Sequence, residues 1–263
     1  MITELSDAQW AQYERDGYLR LGRILNDEDL AALQKRMDDI MLGTAPLDYN
    51  QIMMQLDRDP ARDNKPGPQT KGHKGATLGY RKIEKLEVDP LFLSYMQHPL
   101  FRSICARTYG AATDIGCFRA MFMNKPAGEG TELVWHQDRW TDLDRDPLIT
   151  IWTALDPATV DNGCVFIAPG MHHKLINPSN GSGFFTEEQA LKMVEEIVPV
   201  PLELEAGEVA LLHNHLPHSS GVNRTTTARR AFSACYLDAA TVSASNKTFP
   251  TIFGEGALRP ASV

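Results

Sequence analysis

His136 and Asp138 are the residues from which chemistry is most directly expected. They flank Gln137 in Trp135-His136-Gln137-Asp138, and on an extended strand alternate side chains share a face. An imidazole and a carboxylate then project the same way while Gln137 points away, giving two adjacent ligands for one ion. A histidine from a neighbouring strand would complete a two-histidine, one-carboxylate facial triad. That triad leaves three adjacent positions open on Fe(II), for an oxidant and a bidentate co-substrate. Alone, His-x-Asp is a weak signal, because such tripeptides arise by chance. Its weight comes from His213-Asn214-His215-Leu216-Pro217-His218-Ser219-Ser220-Gly221, which holds three of the chain's eight histidines. The tract follows a strand-like Glu208 to Leu212 and is expected to open a turn. Histidine-rich tracts favour metal binding, so one of the three is expected as a ligand and the other two as surface or core residues.

Arg229 adds a cation, eleven residues beyond His218 on the next expected strand. A dicarboxylate held on iron by one end needs its free carboxylate neutralised, and arginine does this with a planar two-pronged fork that lysine lacks. Arg230 is expected on the opposite face of that strand.

Such groups need a rigid scaffold, and the chain from Asp114 onward has β texture. Short apolar runs separated by turn residues cover Gly116 to Asn124, Leu133 to Gln137, Leu148 to Ala154, Cys164 to Ala168, Val198 to Leu204, Val209 to Leu212 and Ala231 to Leu237. Many short strands at this spacing predict a sandwich or barrel, interrupted by one helix over Thr186 to Ile197. The N-terminal third reads as helical. Ser6 with Gln9 forms a capping box, Tyr18 to Leu21 alternates like a strand, and Asn26 caps a helix with Leu30, Leu33, Met37 and Ile40 on one stripe, stopping near Gly43. Pro99 to Tyr109 is a further helix. The expected architecture is mainly β, one domain over 1–263, with residues 1–110 as mostly helical support and 114–240 as the barrel core. Residues 45–77, rich in proline and glycine, read as a long loop, either a lid over the site or a surface insertion.

Composition narrows the classes further. The 263 residues carry 43% hydrophobic and 23% charged side chains, as in ordinary globular proteins. A net charge of -8 gives no support for a nucleic-acid or anionic-membrane partner. No run approaches the ~20 apolar residues of a membrane span, and Met1 to Arg15 shows no apolar signal core. Cys105, Cys117, Cys164 and Cys235 are far apart and read as buried thiols in a reducing compartment. A cytoplasmic protein with a small-molecule partner is expected; the oligomeric state is left open.

His136-Gln137-Asp138, His218-Ser219-Ser220-Gly221 and Arg229, in this order, resemble the phytanoyl-CoA dioxygenase family of Fe(II)/2-oxoglutarate oxygenases. The likeness runs from about Tyr80 to Asp238. It includes Met121-Phe122-Met123-Asn124-Lys125-Pro126 before the metal motif. After it come Trp152-Thr153-Ala154-Leu155, Asp161-Asn162-Gly163-Cys164 and Pro169-Gly170-Met171-His172-His173-Lys174. The resemblance implies a double-stranded β-helix (jelly-roll, cupin-like) core, with Fe(II) on His136, Asp138 and His218, and 2-oxoglutarate and dioxygen as co-substrates. It implies 2-oxoglutarate contacts from Arg229, Met121, Trp152, Ser220 and Lys82. The activity implied is oxidation, usually hydroxylation, with release of succinate and carbon dioxide. Asp138 fills the position that halogenases of this fold leave to chloride. The family's best-known members act on acyl-CoA thioesters. Here Lys65, Lys71, Lys74, Arg81 and Lys82 are interspersed with acidic residues, and Ala261-Ser262-Val263 is no peroxisomal address. A smaller metabolite or natural-product intermediate is therefore expected. Arg139, Trp140 and Asp142 follow the metal motif and are expected to face the pocket mouth.

Two other classes remain to be separated from this one. A cupin-like metal-binding protein or zinc hydrolase could use the same histidines, and an inactive relative could serve as a binding module. Arg229 with Trp152 is the discriminating pair, since zinc hydrolysis has no use for either.

Overall fold

Residue alternation along the strands explains why one wall of this molecule can be greasy behind and polar in front. The computed structural model describes residues 3–181 and 183–260; the Ala261-Ser262-Val263 tail and the first two residues of the segment read for a signal core lie outside them. The chain starts with α1 (Asp7–Asp16), opened by the Ser6–Gln9 capping box and closed at Gly17. β1 (Tyr18–Arg23) leads to α2 (Asp27–Leu42), where the Asn26 side chain accepts from the Asp29 amide and Leu33, Met37 and Ile40 are buried. Next come β2 (Met53–Leu56), β3 (Thr70–Lys71) and β4 (Tyr80–Glu84). Two helices with proline in their first turn follow, α3 (Pro90–Met96) and α4 (Pro99–Tyr109), a position where the missing N–H is harmless. The remainder is β5 (Ile115–Lys125), β6 (Leu133–His136), β7 (Ile149–Ala154), β8 (Val165–Ile167), α5 (Glu187–Glu196), β9 (Val200–Leu202), β10 (Glu208–His213), β11 (His218–Ser220), β12 (Arg229–Asp238) and β13 (Thr251–Phe253).

Among the described residues these strands form two antiparallel sheets. The larger has the order β1-β10-β7-β12-β5-β4-β2-β3, with β13 beside β5; the smaller has the order β6-β11-β8-β9. On β12, Phe232, Ala234 and Tyr236 enter the large apolar core together with Phe92, Phe101 and Ile104 from the helices. Phe232 packs against Phe92 at 4.8 Å between ring centroids. Each such aromatic stabilises the fold by roughly 1.5–3 kcal/mol when buried. The alternate residue Ala231 turns the other way, into a second apolar cluster between the sheets with Trp152, Ile167 and Leu212. The helical layer thus braces the larger sheet from behind and leaves its front face free to carry a site. This is the expected mainly-β architecture with a jelly-roll core.

The first third differs from expectation. Residues 1–110 contribute β1 to β4 to the larger sheet, so they extend the core sheet as well as supporting it. Residues 45–77 contribute β2 and β3 to that extension, joined by turns and short 3-10 segments. Met53 and Met54 pair with Glu84 and Ile83, and Ile52 and Met54 are fully buried. Asp57 is buried and accepts hydrogen bonds from the Gly130 and Thr131 amides. The frequent prolines and glycines sit between short strands, which is why the segment read as loop. None of its residues lines the central cavity. No helix among the described residues is long and apolar enough to cross a membrane.

Candidate metal centre

His136 ends β6 and His218 begins β11, and the two are cross-strand partners. Asp138 lies just past the strand end, where its amide donates to the Asn214 carbonyl at 2.7 Å. One ligand atom from each residue lies within 4.8 Å of the others, the one such group among the described residues. His136 Nε2 is 3.8 Å from Asp138 Oδ1, and His218 Nε2 is 3.9 Å from Asp138 Oδ2. Each Nδ1 faces a backbone carbonyl two residues back, Val134 at 2.9 Å and Leu216 at 3.0 Å. A carbonyl only accepts, so Nδ1 carries the proton and Nε2 presents its lone pair to the site, the tautomer a metal needs. Burial, reinforced by neighbouring His218, pulls His136 down to about 4, so it is neutral at physiological pH. Burial alone would raise the Asp138 carboxyl, but His218, His136, Arg119 and Lys82 outweigh it and hold it below its usual value. Two imidazoles and a carboxylate are a donor set that fits Fe(II).

Gln137 points away from the ligands, as alternation requires, and is buried. Its side-chain amide donates to the Lys174 and His215 carbonyls, and its oxygen accepts from the Ile176 amide. It therefore ties the loop after β8 and the histidine-rich turn to the back of the ligand strand. Asn214 secures the other side, donating to the Pro147 carbonyl and accepting from Thr150 Oγ1. The Phe184 ring stacks on His136 at 4.9 Å.

The ligands open into a cavity of about 320 Å³. Arg229, Met121, Trp152, Ser220 and Lys82, the residues the resemblance assigns to 2-oxoglutarate, all line it. Arg229 is 3% exposed; it donates to the Gly163 carbonyl at 3.0 Å and sits over the Trp152 ring at 5.8 Å. Its Nε has no partner, and no described carboxylate pairs with it. Burial draws its pKa down to about 10, well above neutrality. A buried guanidinium with an unspent donor fits the distal carboxylate of 2-oxoglutarate. Arg230 faces the other side, bonded to Asp156 and Asp38, as expected. Gly163, at φ 79°, has no room for a side chain: a Cβ would lie 2.8 Å from Lys125 Cδ and 2.7 Å from the Gly221 carbonyl.

Other expectations are corrected. Trp140 lines the cavity, but Arg139 and Asp142 do not. The chain turns after Asp138, so strand alternation stops applying. Arg139 donates to the Pro178 carbonyl and lies 3.9 Å from Asp146. Asp142 holds the loop near Ser243, Ser245 and Lys247. The histidine-rich tract turns at Asn214 and His215, as expected, and His218 then opens β11. His215 pairs with Asp146 at 3.3 Å. His213 borders the cavity but packs with His172 and His215 in a separate cluster.

Residues that sequence reasoning missed include Arg119, Met123 and Lys125, which line the cavity with Met121 at every second position of β5. Counting outward from Met121 in steps of two would have found them. Asn214 and Phe184 carry no comparable signal, because each acts through a contact distant in sequence.

Known proteins resemble this chain in sequence and in fold. The chain is 26% identical over 249 residues to a probable phytanoyl-CoA dioxygenase of Caenorhabditis elegans, covering 89% of this chain and 76% of that one. It is 25% identical over 245 residues to the phytanoyl-CoA dioxygenase of Arabidopsis thaliana, covering 84% of each. The fold is shared with EctD from S. alaskensis, solved with 2-oxoglutarate and 5-hydroxyectoine, at a TM-score of 0.70 and 19% identity over 97% of this chain and 82% of that one. It is also shared with the epimerase SnoN, solved with Fe3+, alpha ketoglutarate and nogalamycin RO, at a TM-score of 0.66 and 19% identity over 98% and 94% of the two chains. The family model of phytanoyl-CoA dioxygenase matches residues 13–231, and the chain belongs to that family.

Proposed function

We propose that the chain is an Fe(II)/2-oxoglutarate-dependent dioxygenase that hydroxylates a small-molecule metabolite or natural-product intermediate. The observation that carries this is Arg229, a buried cation without a carboxylate partner on the wall that faces the His136, Asp138 and His218 ligands. A zinc hydrolase or a metal-storing cupin has no task for such a group. When bound, iron and 2-oxoglutarate use dioxygen to oxidise the substrate, with succinate and carbon dioxide as the other products.

The chain's own residues bind, orient and exclude water. His136, Asp138 and His218 would hold the metal. Arg229 fixes the far carboxylate of the co-substrate, with Trp152 beside it and Ser220, Met121 and Lys82 also lining the cavity. Trp152, Met121 and Phe184 make much of the lining apolar, which strengthens the charge pairing of Arg229 by lowering the local dielectric. Solved proteins of this fold include ones named as a carbocyclase and an epimerase, so the fold serves more than one reaction. Residues 1–263 act as one catalytic domain in this reading, and the four buried unpaired cysteines suit a cytoplasmic location.

Anaerobic reconstitution with Fe(II), followed by succinate measurement after adding 2-oxoglutarate, air and ascorbate, tests the proposal. Succinate formation that needs Fe(II) is expected. Tight zinc retention with no turnover of 2-oxoglutarate under any condition would sink it.

A further inference from the structure

The protein is acidic, at net charge -8, yet its cavity is cationic. Arg81, Lys82, Arg119, Lys125 and Arg229 line it, against the single carboxylate of Asp138. Under the function proposed above, a divalent metal, Asp138 and a dianionic co-substrate together carry one negative charge, which Arg229 cancels. The remaining cations are then in excess, and they are not scattered.

Two of them, Lys125 and Arg119, mark opposite poles along β5. Lys125 stands opposite Arg229 on β12, at one end. Arg119 stands opposite Cys235, six residues back along the strand, or about 20 Å at the rise of an extended chain. Met121 and Met123 lie between the poles on the same face. The Arg229 pole is accounted for by the co-substrate. The Arg119 pole is not.

Arg119 is built as a binding group. Its guanidinium lies 5.4 Å from the Phe118 ring centroid and 5.1 Å from that of Trp140, and these two rings contact each other at 4.2 Å. The aromatic pair fixes the orientation of the cation without consuming its donors. Among the described residues it forms one ion pair, Nε to Glu84 Oε1 at 3.5 Å, and Glu84 is shared with Lys82 at 3.7 Å. No hydrogen bond to a described residue occupies its fork. Two cations thus share one carboxylate, and the surplus charge faces the same cavity as the metal ligands. Trp140, the one residue expected at the pocket mouth that does line it, is the ring against which Arg119 rests.

We infer that the substrate carries an anionic group, carboxylate or phosphoryl, which Arg119 holds while Trp140 covers the adjoining carbon skeleton. The inference rests on the co-substrate occupying the Arg229 pole. A cavity of about 320 Å³ is at the small end for ligand sites, so the inferred molecule is small.

The test uses folded, Mn(II)-loaded protein saturated with 2-oxoglutarate, which binds without turning over. Benzoate, phenyl phosphate and benzamide are titrated in turn while tryptophan fluorescence is followed, and Trp140→Phe identifies the responding ring. Saturable binding of one or both anions is expected, with no binding of benzamide; preference between the anions separates carboxylate from phosphoryl recognition. Arg119→Gln should weaken anion binding by about tenfold to a hundredfold, and Arg119→Lys by less. Thermal melts of both variants confirm that they are folded. Equal binding of benzamide, no saturable response to either anion, or unchanged anion affinity in Arg119→Gln each overturns the inference. Calorimetric titration of 2-oxoglutarate into the Mn(II) protein is scored separately. Its failure removes the co-substrate reading, while dependence of anion binding on Arg119 is still decided by the fluorescence series.

Discussion

Arg229 and Lys125 are direct cross-strand partners on β12 and β5, so two cations point into the cavity side by side. Like charges in opposed positions weaken a sheet, and neither forms an ion pair with a described carboxylate. The Lys125 ammonium donates to the Thr131 carbonyl at 2.7 Å. Burial, and then Arg229 and Arg81, pull its pKa down to about 7. This local destabilisation makes sense if an anion is meant to sit between the two side chains.

Arg229→Gln should therefore weaken 2-oxoglutarate binding by about 2–5 kcal/mol, thirtyfold or more, the usual result of truncating one partner of a buried charge pair. Calorimetry on Mn(II)-loaded protein measures it. Arg229→Lys should recover little, because the two-pronged fork is lost.

Lys125 makes the same affinity depend on pH. Its cationic form attracts the co-substrate dianion, and that form is depleted as pH rises through about 7. Binding of 2-oxoglutarate should weaken several-fold between pH 6 and 8.5, by up to about 1.4 kcal/mol per unit. In Lys125→Met the slope should flatten. A wild-type profile as flat as that of the variant would show that Lys125 does not contribute.

Metal stoichiometry separates ligands from bystanders. After anaerobic Fe(II) loading, His136→Ala, Asp138→Ala and His218→Ala should retain far less than the about one equivalent expected of the wild type, whereas His213→Ala and His215→Ala should keep theirs. Removing metal with a chelator should also lower the melting temperature, since a ligand at a hundred times its Kd stabilises by about 2.7 kcal/mol.

Gly183 tests the support behind the ligands. Its carbonyl accepts from the Gln137 amide, and a Cβ there would lie 1.8 Å from the Gln137 carbonyl at φ 70°. Gly183→Ala must push Gln137 and its neighbouring ligands aside. Metal affinity should fall by about tenfold to a hundredfold, as for other losses of outer support, measured by competition with a metal-sensitive dye.

The second histidine cluster predicts acid sensitivity. Burial lowers His172 to about 4 and His213 to about 3, with neighbouring histidines adding to the effect. In the unfolded chain both titrate near 6.5. Below that pH the unfolded state binds more protons, so stability falls as pH drops from about 6.5 toward 4, by up to about 1.4 kcal/mol per unit for each residue. Urea denaturation of metal-free protein at pH 7.5 and 5 should show this loss, and His213→Asn should lessen it.

How much of this was legible depended on whether the relation was local. His136 ends β6 and Asp138 lies two residues on, just past the strand end, and the spacing of two still brings both to one site, as alternation predicts. Arg229 and Arg230 separated to opposite faces for the same reason. Arg119 has no local mark. Its meaning comes from Glu84 on β4 and Trp140 beyond β6, contacts fixed only when the sheets assemble. Arg139 and Asp142 misled because the strand ends at the metal motif, where the Asn214 carbonyl captures the Asp138 amide and turns the chain. β2 was hidden because four residues between prolines and glycines are too few to show a period.

β12 belongs to two cores at once: Phe232 and Tyr236 lock it to the helices, while Arg229, Ser233 and Cys235 face the cavity. Whatever restrains one side of that strand resists its opening on the other. Hydrogen exchange of amides in α3 and α4 is thus expected to slow when metal and co-substrate load, although neither helix contributes a residue to the cavity. The helical layer becomes a reporter of occupancy at a site it never touches.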